Sequence, residues 1–418
     1  MKKTYIIISC KTIYNNEECD NVIDIDIFRE ILNKNGWKEY LYKDIFDIET
    51  QKIKNKELYN KIKKEGLGLF YLSGKYNLLK DNELYNIECF INNKVDRKLH
   101  KQILNKDIIY KQFKELINDK VDLFLPKTYD NIFKVKKEEL EFDKNKIYII
   151  KPSNSWKGYG IKIITNEKEF NEYKNNINII NKHINKLRNI RYKNIDVNNK
   201  TIEYINKNKD LKKCYEKYFN IPLDSFEKVF SKQIIIQEYI NNPLLFNNKK
   251  FHLRSYLMIK LFNNNISFSY FKKAKILTAK DNYINNDYLN HDIHDTHIGS
   301  TDKDYYFPKD LQKYANKKIN DDIIEYLYKQ MDIIGNITVQ IDKKNNLKNY
   351  DKVSNAFDVL GVDLMITEDF QLKILEYNVH NIGHGVINKD AENVIEFEND
   401  FFNWVYNEGI KPLENLLN

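Results

Sequence analysis

Asp363, Glu376 and Asn378 are the residues of this chain whose types and spacing point most directly to chemistry. They lie in Val359-Leu360-Gly361-Val362-Asp363-Leu364-Met365 and in Leu372-Lys373-Ile374-Leu375-Glu376-Tyr377-Asn378-Val379. Both stretches alternate apolar and polar positions, and a short polar connection, Thr367-Glu368-Asp369, separates them. The pattern predicts a β-hairpin or two adjacent strands. Glu376 and Asn378 are two apart, so on a strand they share a face. If the strands pair, Asp363 joins them, and two carboxylates and an amide oxygen converge on one spot. Hard oxygen donors grouped in this way suit Mg²⁺, which takes one or two protein carboxylates and completes its shell with water and phosphate oxygens. A solvated strand face is the competing reading.

Two further groups carry chemistry. In the first, Ile147–Ile150 predicts a strand that delivers Lys151-Pro152 into the polar loop Ser153-Asn154-Ser155-Trp156-Lys157-Gly158-Tyr159-Gly160. Glycines let backbone N–H groups approach phosphate oxygens, and a lysine at the loop's edge adds a compact positive charge. It is not a Walker A loop, since Gly-Lys-Ser/Thr is missing. In the second, the apolar run Ile234-Ile235-Ile236 leads into Gln237-Glu238-Tyr239-Ile240, where a strand ending in a bend exposes backbone groups that can read a purine edge. Downstream, Arg254 sits inside an apolar strand and needs a partner there, because a buried lone guanidinium is costly. A structural ion pair accounts for it equally well.

The elements that must position these groups are legible in outline. Strands are expected at Tyr5–Ser9, Leu67–Leu72, Ile161–Ile164 and Phe251–Phe262. Helical spacing covers Ile25–Asn35, stopped by Gly36, as well as Arg97–Leu116, residues 321–334 and Phe397–Glu408. Residues 280–305 are rich in turn formers, His and Asp. At 418 residues the chain can bury a large core in two or three subdomains. Its net charge of +8 is concentrated: from Phe170 to Lys232 there are 14 Lys/Arg against 7 Asp/Glu. Such a surface attracts acidic protein tails, nucleic acid or anionic membrane, or is merely solvated. A nucleic-acid role lacks a recognised motif or regular aromatic interleaving. The four cysteines show no Cys-x-x-Cys, which implies a reducing compartment. No segment has the length of a membrane span, and the short apolar start reads as a first strand. A cytoplasmic protein is expected.

Taken in chain order, the motifs resemble the tubulin–tyrosine ligase family, a branch of the ATP-grasp ligases. The resemblance rests on Ile149-Ile150-Lys151-Pro152-Ser153 with Gly158-Tyr159-Gly160-Ile161, on Ile236-Gln237-Glu238-Tyr239-Ile240, and on Lys250-Phe251-His252-Leu253-Arg254-Ser255-Tyr256. It continues in Gly361-Val362-Asp363-Leu364-Met365 and Leu375-Glu376-Tyr377-Asn378, and upstream in Asn35-Gly36-Trp37-Lys38, Arg97-Lys98-Leu99 and Leu125-Pro126-Lys127-Thr128-Tyr129. It implies an α/β (α+β) ATP-grasp fold. A pre-ATP-grasp domain would span 1–96, and a central subdomain 97–236 with a basic insertion at about 167–232. A C-terminal subdomain, 237–418, would carry the metal ligands, with ATP bound between the last two.

Carried over by residue, the resemblance implies that Lys151 contacts ATP phosphates, with Lys157, Gly158 and Gly160 in the loop that closes over them. Gln237, Glu238, Tyr239 and Ile240 form the adenine hinge. Asp363, Glu376 and Asn378 position Mg²⁺ and the triphosphate. Arg254 faces the γ-phosphate or the acceptor carboxylate, and Lys98 stands near the transferred phosphate. The implied activity is ligation of a free amino acid, tyrosine first with glutamate or glycine as the alternatives, to a protein carboxylate such as an acidic tubulin tail. The rival is a catalytically silent ATP-grasp protein that binds an acidic partner.

The chain departs from the family pattern in three places. His252 replaces an aspartate, Ile293-His294-Asp295-Thr296-His297-Ile298 replaces a Leu-Thr-Asn-like motif, and a lysine replaces the arginine expected after Tyr270. Lys272 is the first candidate for that lysine, with Lys273 and Lys275 as others. Lysine cannot grip a carboxylate in the two-pronged way of arginine. The histidines His252, His291, His294 and His297, near Asp292 and Asp295, pose a choice between a transition-metal site and a polar loop beside the active site.

Overall fold

The structure, a computed structural model, describes residues 3–8, 25–47, 52–72, 89–92, 102–142, 146–153, 159–193, 197–217, 221–230, 233–263, 265–288, 290–296, 304–346, 355–378 and 392–417. These form an α+β arrangement of two sheets. The larger is built around two long buried strands, Lys249–Phe262 and Asn355–Ile366, paired antiparallel along their length. Leu372–Asn378 flanks one of them, while Asn265–Tyr270 and Ala274–Thr278 flank the other. Beyond Asn355–Ile366 the sheet continues, through a parallel contact with Cys89–Asn92, into the parallel strands Leu67–Leu72, Thr4–Ile8 and Lys38–Glu39. The N-terminal segment and the C-terminal third therefore share one sheet.

Strand alternation sorts this sheet into two faces. Leu253, Leu257, Leu360, Val362 and Leu364 pack on one side with Leu327, Met331 and Ile334 of the helix Asp321–Asn346. Tyr256, Met258, Phe357 and Val359 face the other side, under Phe397, Phe401 and Phe402 of the helix Glu392–Val405. His252, Arg254 and Asp363 have this second parity, and they lie where the apolar packing stops.

The smaller sheet runs in the order Thr128–Tyr129, Ile234–Glu238, Tyr148–Pro152, Lys162–Ile164, all antiparallel. Tyr148, Ile150, Ile164, Ile234 and Ile236 pack against the helices of the basic segment, Glu167–Lys193, Val197–Lys207, Lys209–Lys217 and Leu223–Phe230. In the first of these, Phe170, Tyr173, Ile177, Ile180 and Leu187 repeat at helical spacing and are buried. Arg188 and Arg191 clamp the buried carboxylate of Glu227 on the last. The segment is therefore a packed helical layer, and its excess lysines lie outside: Lys168, Lys182, Lys186, Lys209 and Lys213 are all exposed. Among the described residues no helix is long and apolar enough to cross a membrane.

Several expected elements are longer or shifted. The helix expected over 321–334 runs on to Asn346, because Ile337, Val339 and Ile341 continue its buried face. The last helix starts earlier and ends earlier, at Glu392–Val405, and passes into a wider turn and a short tight helix at Lys411–Leu416. In the turn-rich stretch a single helical turn forms at His291–His294, where the Asn290 side chain caps Asp292 N–H.

Candidate active site

Strand register assembles the first half of the site. Arg254 stands opposite Asp363, and Asp363 stands opposite Glu376. The Arg254 guanidinium grips the Asp363 carboxylate with two bonds, Nε to Oδ1 and, at 3.0 Å, Nη2 to Oδ2. Burial works against the charge on Arg254, but Asp363 outweighs it and holds the guanidinium above its ordinary pKa. Asn378 donates from Nδ2 to Asp363 Oδ2 at 3.2 Å and to Glu376 Oε1 at 3.4 Å. The three residues read from the hairpin pattern are thus brought together.

Their convergence depends on a feature that a strict period of two does not contain. The pairing shifts between Asp363 and Leu364, so that Leu364 faces Ile374 while Asp363 faces Glu376. Ile374 and Tyr377 both enter the same core, although they are three residues apart. This β-bulge lets Glu376 and Asn378 turn to the site while Ile374 stays packed beneath it.

The second half comes from the smaller sheet, on the face away from its helices. Lys151 Nζ donates to Gln237 Oε1 at 2.9 Å, and Gln237 Nε2 donates to Thr128 Oγ1 at 2.9 Å. Burial, with a smaller push from Lys106, lowers the Lys151 pKa to about 8, although Glu376 opposes the fall. Lys106 joins the halves. Its Nζ lies 3.2 Å from Glu376 Oε2, and it opens the helix Lys106–Ile117, whose next residue, Asp107, is hydrogen-bonded to the Ser153 hydroxyl at the end of the Lys151 strand.

Lys250 completes the cationic wall. Burial, with Lys151 nearby, takes its pKa down to about 7. Its Nζ donates to Tyr239 OH at 2.6 Å and lies 4.1 Å from the centre of that ring. With its oxygen receiving that proton, Tyr239 OH donates to His294 Nδ1 at 2.7 Å, and His294 Nε2 donates to the Asp287 carbonyl at 2.7 Å. Burial also lowers the His294 pKa, which favours this neutral tautomer. Tyr239 is thereby fixed by side chains. Glu238 at the rim pairs with Lys146 at 3.0 Å, and Ile240 is half-buried just past the strand end.

Other expected residues fall elsewhere. Lys98, Lys157, Gly158 and His297 lie outside the described residues. Gly160 has φ of +73°, and a Cβ there would lie 2.8 Å from Pro152 Cγ and 3.0 Å from Val229 Cγ1, so backbone conformation and packing both require glycine. Lys272 does not reach the cluster: its Nζ sits 5.6 Å from the ring centre of Tyr328, on the helix covering the opposite face of the sheet. Lys273 pairs with Glu396 and Asp400. Lys275 is the lysine placed opposite Arg254, and it forms a buried ion pair with Asp304 at 2.5 Å. Lys106, Lys250, Lys275 and Asp304 are the functional candidates that the motifs undervalued. Lys250 had a signal, since it lies four residues before Arg254 on the same strand face.

The histidines are spent individually. His252 Nδ1 is hydrogen-bonded to Thr296 Oγ1, and its Nε2 lies 3.7 Å from Asp363 Oδ2. Among the described residues no three His, Cys, Asp or Glu side chains gather as a metal site. Mg²⁺ needs fewer protein ligands than that. Both Asp363 oxygens are engaged by Arg254, whereas Glu376 is about a quarter exposed and lies beside Asn378, so the donor set fits Mg²⁺ best at Glu376 and Asn378.

Lys250 and Lys151, at about 7 and about 8, are only partly protonated at pH 8 in the free chain. An anion bound beside both would favour the charged forms. Binding of a polyanion there at that pH is therefore expected to take up on the order of one proton, and its affinity to fall as pH rises from about 7 to about 9. Calorimetric titration in two buffers of different ionisation enthalpy measures the proton count. Zero uptake, or release, would contradict a role for the two lysines in binding an anion.

Residues 97–380 match the family described as "Tubulin-tyrosine ligase family". Two curated relatives are a probable tubulin–tyrosine ligase of Schizosaccharomyces pombe, 25% identical over 169 residues, and the probable tubulin–tyrosine ligase PBY1 of Saccharomyces cerevisiae, 28% identical over 182 residues. Each match covers 40% of this chain, but only 40% and 23% of the respective relative.

Proposed function

Since the chain belongs to the tubulin–tyrosine ligase family, we propose that it is an ATP- and Mg²⁺-dependent ligase that joins an amino acid, tyrosine first among candidates, to a protein carboxylate. The observation that carries the reading is the position of Lys106. It contacts Glu376 of the large sheet at 3.2 Å, and both charges act on Lys151 of the small sheet. The closeness of a buried lysine of one sheet to a carboxylate of the other supports an ATP-grasp arrangement. In that arrangement residues 1–96 form the leading domain, 97–236 the central subdomain and 237–418 the C-terminal one, with the nucleotide between the last two.

The reaction joins two anions, so its cost is electrostatic. The acceptor carboxylate oxygen bonds to the γ-phosphorus as the bond to ADP breaks. The amine then bonds to the acyl carbon as phosphate leaves, and the amine's proton passes to water. Lys151 and Lys250 hold phosphate charge, and Gln237 keeps the Lys151 ammonium aimed. Arg254, fixed by Asp363, orients the acceptor carboxylate or the γ-phosphate. Glu376 and Asn378 would hold Mg²⁺, which supplies further neutralisation of the triphosphate when bound. No side-chain nucleophile is needed.

The exposed lysines of the helical layer favour an acidic acceptor, with a tubulin tail as the family-based choice. The test incubates the chain with Mg²⁺-ATP, acidic C-terminal peptides and single amino acids, and reads peptide mass. A gain of one tyrosine residue is expected. A gain of glutamate or glycine would move the specificity, and no gain with any pair would favour the silent reading that His252 raises.

A further inference from the structure

Across three neighbouring strands, Lys275, Arg254 and Asp363 stand in one register row, with Arg254 in the middle. Lys275 and Arg254 are directly opposite like charges, an arrangement that destabilises a sheet unless it is compensated. Both are buried, 3% and 8% exposed, so water screens the repulsion little. Each has its own carboxylate. Lys275 Nζ lies 2.5 Å from Asp304 Oδ1, with both side chains almost wholly buried, while Arg254 holds Asp363 with two bonds. Asp304 is fixed in turn, since its backbone carbonyl accepts from Asn393 Nδ2 at 2.9 Å.

Arg254 therefore has a buried carboxylate on either side of it, Asp363 directly and Asp304 one lysine away. A carboxylate is the partner a guanidinium binds best. What decides between them is that Lys275 already occupies Asp304. We infer that Lys275, anchored by Asp304, is a positioning residue that commits Arg254 to Asp363 and so sets the direction in which the guanidinium meets the substrate carboxylate. Its consequence for turnover rests on the ligase reading, but its effect on Arg254 is measurable without turnover. The inference also separates Lys275 from Lys272, which lies on the other side of the sheet.

The chain contains five arginines, so ¹⁵N-arginine labelling of the full chain gives a sparse set of Nε–H signals, and Arg254→Lys assigns the one of interest. In Lys275→Met that signal is expected to shift and to exchange with solvent at least roughly tenfold faster, as Asp304 draws the guanidinium away. Lys275→Met/Asp304→Asn removes the competitor and is expected to restore it. Turnover, measured alongside, should fall roughly 10²-fold in the single variant through kcat and return to within about tenfold in the double. If Lys275→Met does not fold, Asp304→Asn alone serves, because the released Lys275 then competes for Asp363 and displaces the same signal. An Arg254 signal that stays in place in the single variants would overturn the inference, as would a shift that the double variant does not reverse. The expected spectra without turnover in the unsubstituted chain would instead refute the ligase reading and leave the positioning role standing.

Discussion

Arg254→Met is expected to lower the free energy of unfolding by about 3–5 kcal/mol, the cost of stranding one member of a buried ion pair. Asp363 is 1% exposed, and the guanidinium supplies two of its bonds. Two other neighbours are held less closely: Asn378 donates a single bond at 3.2 Å, and His252 Nε2 is 3.7 Å away. The stranded carboxylate is then expected to retain a proton, so the variant's deficit should shrink as pH falls through the raised Asp363 pKa. Arg254→Met/Asp363→Leu, which removes both charges, should recover most of the loss. Urea unfolding of the three proteins at two pH values measures this. A loss below about 1 kcal/mol in the single variant would place the pair in water and undo the site's geometry.

Glu376→Gln should behave in the opposite way. Glu376 is partly exposed and pairs with Lys106 at 3.2 Å, so its neutralisation is expected to change stability by no more than about 1 kcal/mol. Under the proposed function, however, its charge would be the one beside Mg²⁺ and the triphosphate. We therefore expect kcat to fall by about 10²–10³-fold, the scale of losing one preorganised electrostatic contact. The Lys151 pKa should also drop further, since Glu376 is the charge that now holds it up. Steady-state turnover and thermal unfolding of the same preparation separate the two effects. An active Glu376→Gln, or one that is inactive only because it is unfolded, would remove Glu376 from the chemistry.

Much of this site was readable because strand alternation and motif order are local. The apolar–polar rhythm of 359–365 and 372–379 predicted adjacent strands, and they pair with Asp363 opposite Glu376. The basic segment at about 167–232 was legible by its charge, and among the described residues it folds as four helices. Registers between distant segments were not readable. Nothing local to Lys275 announces that it will face Arg254, whereas Lys272, closer to Tyr270, is the first lysine that the sequence offers. The β-bulge at Asp363 was hidden for a similar reason: the sequence shows alternation, and only packing of both Ile374 and Tyr377 into one core reveals the extra residue. The short strand Cys89–Asn92, through which the N-terminal strands join the large sheet, has too few residues to show a period. The place of Lys106 beside Glu376 is not local either, since it comes from where its helix begins in space.

Lys151, Lys250, Arg254 and Glu376 are proposed to border one site where ATP activates a carboxylate for an amine. Release of ADP from Mg²⁺-ATP by the purified chain, measured with an acidic C-terminal peptide, with an amino acid, and with both, tests it most directly. Release that requires both substrates and disappears in Glu376→Gln is expected. Tight nucleotide binding with no release in any combination, or release that ignores the peptide, would contradict it.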